Sequence, residues 1–399
     1  MKRTACIASI LLCLTLFLWS GTGEGTLPEN PLRGFRVFVD KQCVICHPLP
    51  FSDSQQYKIG PPLGRRGLHQ SLMQIMAAMW NHATEMQEKM RLLHVPAVSM
   101  TSEEMEELLA FIYFLGYFDD PGNPSLGKLV FREKGCSQCH VVGKSGETDK
   151  IPLDALARYA SPIQIACAMW NHVRPEGEKG EKWEEQWPHF QGEEVNDLVA
   201  YIWEASNSRP HTKELILAPN PRQGAIVFQK KGCDACHAVS PKEEGKLGPN
   251  LANSHLQESA SQLAARLWTH GPKMLKAMEE LGLERPRFSE QEIADLLAYL
   301  YFLPYREEEG DPKQGEILFT IKGCSNCHSI RGKGGDSAPD LAQSDQIRSA
   351  IDIARAMWNH APVMIQLLAE EYLRPLPTFQ AREMADLLSY LQTVGKQAE

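Results

Sequence analysis

Apolar side chains recur with a helical period in four segments spread along the chain. The segments span residues 104–115, 194–203, 292–302 and 383–391, and each begins with an acid and has a second acid three residues later. Residues that are apolar every three to four positions form one face of an amphipathic helix. We therefore predict four helices of common pattern, each with one shared aromatic residue: Phe111, Tyr201, Tyr299 and Tyr390.

A second pattern precedes each of these segments. It runs Asn/Asp-Pro, two residues, Gly, three residues, Phe, two residues, Lys, Gly or Gln, and then Cys-x-x-Cys-His. A pattern that returns at a regular interval indicates tandem copies of one structural unit. The four copies begin at Asn30, Asn123, Asn220 and Asp311.

The start of each copy predicts a helix that runs into the cysteine pair. Asn or Asp caps free helical N–H groups, and proline is suited to the first helical position. Gly and Phe, four residues apart, lie on one face of this helix. Because glycine lowers helix propensity, its presence there indicates that another element comes very close, and we expect this element to be the aromatic-bearing closing helix.

Length and composition agree with several folded units. The chain has 399 residues, 43% hydrophobic and 23% charged, which is too long for one compact core and ordinary for folded protein. We predict an all-α protein of four tandem domains, at residues 24–119, 120–206, 217–306 and 308–395, with proline-bearing loops and a middle helix inside each.

The net charge and the N-terminus bear on location and partners. A formal charge of −9 does not favour nucleic-acid binding, and a basic protein surface is the more natural complement. Lys2 and Arg3 precede an apolar stretch from Ile7 to Trp19 that is followed by small residues. This layout is typical of a secretory signal peptide, here residues 1–23, and it is too short for a membrane span. We expect a periplasmic or otherwise exported protein without a transmembrane anchor in the mature chain, although peripheral membrane association is compatible with it.

The Cys-x-x-Cys-His runs carry the chemistry. Two thiols spaced in this way form thioethers with haem vinyl groups, and the adjacent histidine binds the iron. Eight of the 11 cysteines belong to such runs: Cys43, Cys46, Cys136, Cys139, Cys233, Cys236, Cys324 and Cys327. The predicted iron ligands are His47, His140, His237 and His328.

Three other uses of a Cys-x-x-Cys pair explain the pattern less well. A zinc site needs a second ligand pair in each repeat, and no second cysteine pair is present. Disulfides or a thioredoxin-like redox site leave the histidine after every pair unexplained. Four c-type haems are therefore the predicted cofactors.

Each repeat resembles a class I cytochrome c domain, and the resemblance covers residues from about 30 to 393. It implies that the first and last helices cross. It also implies that a backbone carbonyl of the proline loop accepts the second ring N–H of the motif histidine and so holds the ring. Pro61, Pro249 and Pro339 suit this place well, and Pro152 less well.

The second iron ligand departs from the class I pattern. Class I domains usually carry Met-Pro shortly before the last helix, but the prolines here follow Val95, Trp187, Arg285 and Leu376. The first-choice ligands are the histidines that recur at the end of the middle segments, His82, His172, His270 and His360. The alternatives are methionines four residues later, Met86, Met274 and Met364, whose place in repeat two is taken by Glu176.

The second ligand sets the redox potential of the haem, because a thioether ligand gives the iron a higher redox potential than an imidazole ligand does. A histidine at the end of the middle segment has a third interpretation, as a packed or propionate-bonded side chain. A tryptophan two residues before each of these histidines is expected to pack against the haem edge: Trp80, Trp170, Trp268 and Trp358.

These features predict an exported electron carrier with other redox proteins as donor and acceptor, and no catalytic residues. Two alternatives are carried forward. One is a haem enzyme, a peroxidase or small-molecule reductase, with one open haem, for which repeat two is the candidate because residues 174–187 differ most from their counterparts. The other is a cytochrome subunit of a membrane oxidoreductase.

Overall fold

The structure is a computed structural model, and it describes residues 27–49, 59–64, 71–143, 149–154, 161–172, 187–207, 218–306, 308–344, 347–371 and 375–396. The predicted signal segment, residues 1–23, and Glu176 lie outside these ranges. Within them, no helix combines the length and apolar composition that a bilayer crossing requires.

The predicted all-α class is confirmed, and the described strands are two short pairs. His140–Val141 pairs in parallel with Ile151–Pro152, and Ser329–Ile330 pairs antiparallel with Lys333–Gly334. The opening helices are Arg33–Asp40, Pro124–Glu133, Pro221–Lys230 and Pro312–Ile321. The middle helices are Leu72–Asn81, Pro162–His172, Ala260–Thr269 and Ala350–Glu371, with further helices Ala83–Leu92 and Gly271–Glu280 after the first and third of them. The closing helices are Ser102–Phe114, Glu194–Ala205, Glu290–Phe302 and Ala381–Lys396.

The opening helices begin as the capping residues predict in three repeats. The Asn123 side chain accepts from the Ser125 and Leu126 N–H groups, and Asn220 and Asp311 cap their helices in the same way. Repeat one differs, because its helix begins at Arg33 rather than at Pro31. Asn30 accepts from the Leu32 N–H at 2.9 Å in the turn that precedes the helix, whereas the helix itself starts after Leu32 without a side-chain cap.

Opening and closing helices cross at the repeated glycine, as predicted. A Cβ atom on Gly34, Gly127, Gly224 or Gly315 would overlap a backbone carbonyl oxygen of the closing helix. Beside the crossing, the repeated Phe packs on the shared aromatic residue, with ring centres 5.5 to 5.9 Å apart in the four repeats. Glycine is therefore required because two helix backbones touch.

Repeats one and three meet through their closing helices. The Tyr113 hydroxyl donates to the Tyr301 carbonyl oxygen at 3.1 Å, and the Tyr301 hydroxyl donates to the Tyr113 carbonyl oxygen at 2.7 Å. Both side chains are fully buried, and burial raises the pKa of each phenol, so both stay protonated and donate. Identical residues meeting from both sides are the mark of a twofold-symmetric interface.

Repeat one also packs on repeat four, and repeat two on repeat three. In both pairs the repeated tryptophan of each member donates its indole N–H to a carbonyl oxygen before the closing helix of the other. The bonds are Trp80 to Pro377 at 2.7 Å, Trp358 to Val98 at 2.9 Å, Trp170 to Pro286 at 2.9 Å and Trp268 to Pro188 at 2.7 Å. The repeats therefore neighbour one another in the order two, three, one, four.

Candidate cofactor site

Each Cys-x-x-Cys-His run begins in a short 3₁₀ turn directly after the opening helix: Cys43–Ile45, Cys136–Gln138, Cys233–Ala235 and Cys324–Asn326. The residue before the first cysteine is in the left-handed region, with φ of 63° at Gln42 and 77° to 82° at the three glycines. This conformation explains why glycine stands there in three repeats. It turns the chain so that the cysteines leave the helix axis.

The first cysteine of each run is half-buried. Burial raises the pKa of the Cys43 and Cys233 thiols to about 11, and it also raises the pKa of Cys136. A reactive or metal-binding thiol needs a lowered pKa. The protein surroundings therefore do not favour a thioredoxin-like pair, whereas a thioether carries no charge and suits a half-buried place.

The motif histidines are held by a backbone carbonyl of the loop that follows. The Nδ1 atoms of His47, His237 and His328 each lie 3.0 Å from the carbonyl oxygens of Pro61, Pro249 and Pro339, as expected. In repeat two the acceptor for His140 is the carbonyl oxygen of Ile151, at 3.3 Å, rather than that of Pro152. The short parallel strand pair His140–Val141 with Ile151–Pro152 shifts the contact by one residue.

This bond sets the chemistry of the ring. A carbonyl oxygen only accepts, so Nδ1 carries the proton and Nε2 keeps the lone pair that binds a metal ion. Gly60 and Gly248 lie against the rings of His47 and His237, where a Cβ atom would approach the ring carbon Cε1 too closely. The loop thus covers one face of each of these two imidazoles.

A cavity of about 270 Å³ lies beside the motif of repeat one. Cys43, Cys46 and His47 line it on one side, and His82 lines it from the middle segment. Its other walls are mainly apolar and include Phe38, Ile75, Met100, Leu108 and Trp358. Both candidates for the second ligand, His82 and Met86, line this cavity.

Three of the four candidate second histidines share one arrangement. The Nδ1 atoms of His82, His270 and His360 lie 2.7 to 2.9 Å from the carbonyl oxygens of Ala78, Arg266 and Ala356, four residues earlier. Nδ1 is again the protonated nitrogen, which leaves Nε2 as the ligand atom. Met86, Met274 and Met364 are partly buried and pack against the hydrophobic core.

Repeat two brings its two histidines together. The ring centres of His140 and His172 are 5.9 Å apart. Two imidazoles that share one metal ion, at about 2 Å from each nitrogen, have ring centres about 6 Å apart. In repeats one and two the donor set therefore fits a covalent haem: two thiols, an oriented motif imidazole and a second imidazole, which lines a mainly apolar cavity in repeat one and lies beside the motif imidazole in repeat two.

The repeated tryptophans have a role that was not predicted. The sequence predicts that they pack against the haem edge; in the structure their indole N–H groups bind the paired repeat, and Trp358 also lines the cavity of repeat one. The recurrence of Trp before the histidine in all four repeats was the available signal. It does not reveal which repeat the side chain contacts.

The repeated lysine fixes the segment before the closing helix. Its ammonium group pairs with the repeated acid in the first turn of that helix at 2.9 to 3.0 Å: Glu104, Glu194, Glu292 and Glu383. The same ammonium group donates to the backbone carbonyl oxygen five residues before that acid, at 2.6 to 2.8 Å: Ser99, His189, Arg287 and Thr378. The lysine of the cysteine-containing pattern and the first acid of each predicted helical segment therefore form one ion pair.

Protonation of Glu104 is expected to weaken repeat one at acid pH. The hydrogen bond from Lys41, and then that from the Thr101 N–H, holds the Glu104 pKa below its usual value of 4.5. A lowered pKa stabilises the fold above the unfolded-state pKa, and this contribution is lost as the pH falls through the folded-state value. Glu104→Gln should therefore destabilise the protein at pH 7 and show a smaller difference from wild type near pH 3, measured by thermal unfolding. Glu103→Gln, at the exposed neighbour, is the control, and equal pH profiles for all three proteins would contradict the assignment.

Comparison with known families gave two matches. Residues 219–300 match the family model described as cytochrome C oxidase, cbb3-type, subunit III, and residues 312–395 match the model described as cytochrome c. These ranges contain the third and fourth Cys-x-x-Cys-His runs with their closing helices. The comparisons with curated proteins and with solved structures gave no match.

Proposed function

We propose that the protein is an exported electron carrier with four tandem domains and four covalent haems, because residues 219–300 and 312–395 match family models of cytochrome c type. The observation that carries this proposal is the shared geometry of the motif. All four motif histidines have Nδ1 bound to a loop carbonyl, and repeats one and two have it in common with the two matched repeats.

The residues of the chain have separate parts in this function. The eight motif cysteines attach the haems, and the four motif histidines bind iron through Nε2. His82, His172, His270 and His360 are the proposed second ligands. In His82, His270 and His360 the helix carbonyl binds Nδ1 and leaves Nε2 for the iron, and the ring of His172 lies beside that of His140. When bound, each haem supplies one-electron oxidation and reduction at its iron.

The partners are proposed to be other redox proteins. With a net charge of −9, the chain attracts a basic surface and steers its approach at low salt. Export follows from the predicted signal segment, and it agrees with the covalent type of haem attachment. Electron exchange with a basic partner should slow as ionic strength rises, because salt screens the attraction.

The enzyme alternative requires one haem with an open side, for which repeat two was the candidate. The placement of His172 beside His140 in that repeat favours a haem held from both sides. The second alternative, a subunit of a membrane oxidoreductase, is favoured by the match of residues 219–300 to an oxidase subunit. Isolation from the native source distinguishes an electron carrier from an oxidoreductase subunit. A carrier elutes alone at the size of one chain, and a subunit elutes with its complex.

The haem count tests the proposal directly. The mature holoprotein should have the mass of the chain plus four haems, and the double variant Cys233→Ala and Cys236→Ala should have the mass of three. Denaturing mass spectrometry measures this, because thioether-bound haem stays attached when the protein unfolds. Cys167→Ala is the control, since Cys167 is a buried thiol outside the motifs and its loss should leave four haems. A wild-type count below four would contradict the proposal.

A further inference from the structure

The cavity of repeat one is completed by a residue of repeat four. Trp358 lines this cavity with Met100, and its indole N–H donates to the carbonyl oxygen of Val98, which also lines it. The side chain of Trp358 is only 8% exposed. Along the chain, however, Trp358 precedes by two residues His360, the proposed second ligand of repeat four. Residues 358–360 therefore contribute to two sites, the cavity of repeat one and the proposed haem site of repeat four.

The residue after the tryptophan also binds the paired repeat. The Asn359 side chain accepts from the Met100 N–H at 2.9 Å and donates to the Met100 carbonyl oxygen at 2.9 Å. In return, Asn81 of repeat one accepts from the Phe379 N–H and donates to the Phe379 carbonyl oxygen, both at 2.8 Å. A carboxamide that satisfies both backbone groups of one residue fixes the position of that residue.

Repeats two and three form the same contact. Asn171 accepts from the Phe288 N–H at 3.1 Å and donates to its carbonyl oxygen at 2.7 Å. Repeat three has threonine in this place, and the Thr269 hydroxyl accepts from the Phe190 N–H at 3.1 Å and donates to its carbonyl oxygen at 3.3 Å. A hydroxyl both accepts and donates, so the pattern is complete in all four repeats.

These contacts link the candidate haem sites of the two paired repeats. Each of the four polar residues directly precedes a proposed second histidine, and each binds a segment just before the closing helix of the paired repeat. In repeat one this segment forms part of the cavity wall, through Val98 and Met100. A shift of the histidine segment in one repeat therefore moves the pocket wall of the other.

We propose that the repeats form two coupled haem pairs, one with four and two with three, in which each repeat supplies the tryptophan and the asparagine or threonine that complete the haem pocket of its partner. The proposal rests on the proposed four-haem function. The pairs meet through Tyr113 and Tyr301, so the four sites are neighbours in the order two, three, one, four rather than in chain order.

The test is a redox titration of full-length holoprotein carrying Trp358→Phe. This variant keeps an aromatic ring and removes the N–H that binds Val98. Double alanine variants of one motif cysteine pair at a time assign each titration wave to a repeat by its loss. We expect Trp358→Phe to shift the midpoint of the repeat-one wave, and Trp80→Phe to shift that of repeat four.

The control is Val363→Ala, on the same helix as Trp358, because the Val363 side chain is 56% exposed. It should leave all four waves in place. If Trp358→Phe shifts only the wave of repeat four, or none, the pairing proposal is wrong. A wild-type chain that carries fewer than four haems contradicts the proposed function instead, and its mass shows this before any titration.

Hydrogen exchange gives a second measurement that does not depend on assigning the waves. Asn359→Ala removes the acceptor of the Met100 N–H, so this amide in repeat one should exchange about tenfold faster, as the loss of one side-chain hydrogen bond implies. Amides of the repeat-four opening helix, Pro312–Ile321, should keep their protection. Unchanged exchange at Met100, with the variant folded, would overturn the contact.

Discussion

Gly224→Ala is expected to disrupt repeat three, although alanine is the better helix former. On helix propensity alone the change would stabilise the protein by about 1 kcal/mol. The new Cβ, however, would overlap the carbonyl oxygen of Asp295 and lie 2.6 Å from the Cβ of Tyr299. Neither neighbour is the end of a flexible side chain, so the closing helix must move away. Overpacking of this kind typically costs about 1–3 kcal/mol and occasionally more, and a clash with backbone atoms that cannot turn away should exceed the gain from helix propensity.

The matched control for this prediction is Gln223→Ala, one residue earlier on the same helix. Gln223 is exposed, so this change should be neutral or slightly stabilising. Unfolding of a chain with several units is not expected to be two-state, so one melting curve does not isolate the stability of repeat three. Hydrogen exchange in peptides from Pro221–Lys230 and Glu290–Phe302 measures the local stability of the two crossing helices. Equal protection in both variants would mean that the helices do not touch at Gly224.

His172→Ala is expected to open the haem of repeat two. The ring centres of His140 and His172 are 5.9 Å apart, and under the proposed coordination the removal of the His172 imidazole would leave a position on the iron for an external ligand. The wild-type ferrous protein should not bind carbon monoxide, whereas the variant should bind one molecule per chain, measured from the change in the haem absorption spectrum. Electron paramagnetic resonance should show one centre of altered spin state.

His189→Ala is the control, because His189 lies in the same repeat with an exposed side chain and should not change carbon monoxide binding. Carbon monoxide binding by wild-type protein would support the enzyme alternative. In repeat three, a comparison of His270→Ala with Met274→Leu separates the two candidate ligands. If only the methionine variant binds carbon monoxide, the histidine assignment fails there.

Much of each repeat could be predicted because its signals are local. Asn123-Pro124 caps a helix within four residues, and Gly127 and Phe131 lie on one face of the same helix. The resemblance to class I cytochrome c domains implied the loop carbonyl that holds the motif histidine, which the structure has in repeats one, three and four. The shift to Ile151 in repeat two depends on a short strand pair that no local pattern indicated.

The partner of each tryptophan could not be predicted in the same way. Trp80 and Pro377 are 297 positions apart, and Trp358 and Val98 are 260 apart. An indole N–H can donate to any well-placed carbonyl oxygen, so the presence of a tryptophan does not specify which residue accepts its hydrogen bond. The sequence predicts packing against a haem edge and does not specify the repeat, whereas in the structure Trp358 of repeat four lines the cavity of repeat one.

The amino-acid sequence by itself therefore determined the repeated helical unit and the helix crossing at glycine, and it predicts the haem chemistry of the Cys-x-x-Cys-His runs. These follow from capping, from periodicity and from residue types that act within one repeat. The tertiary structure alone decided that repeat one packs on repeats three and four and repeat two on repeat three. The physical reason is that these contacts use backbone carbonyls and buried aromatic faces, which are present in every repeat and specify a partner only through the packed shape of the whole chain.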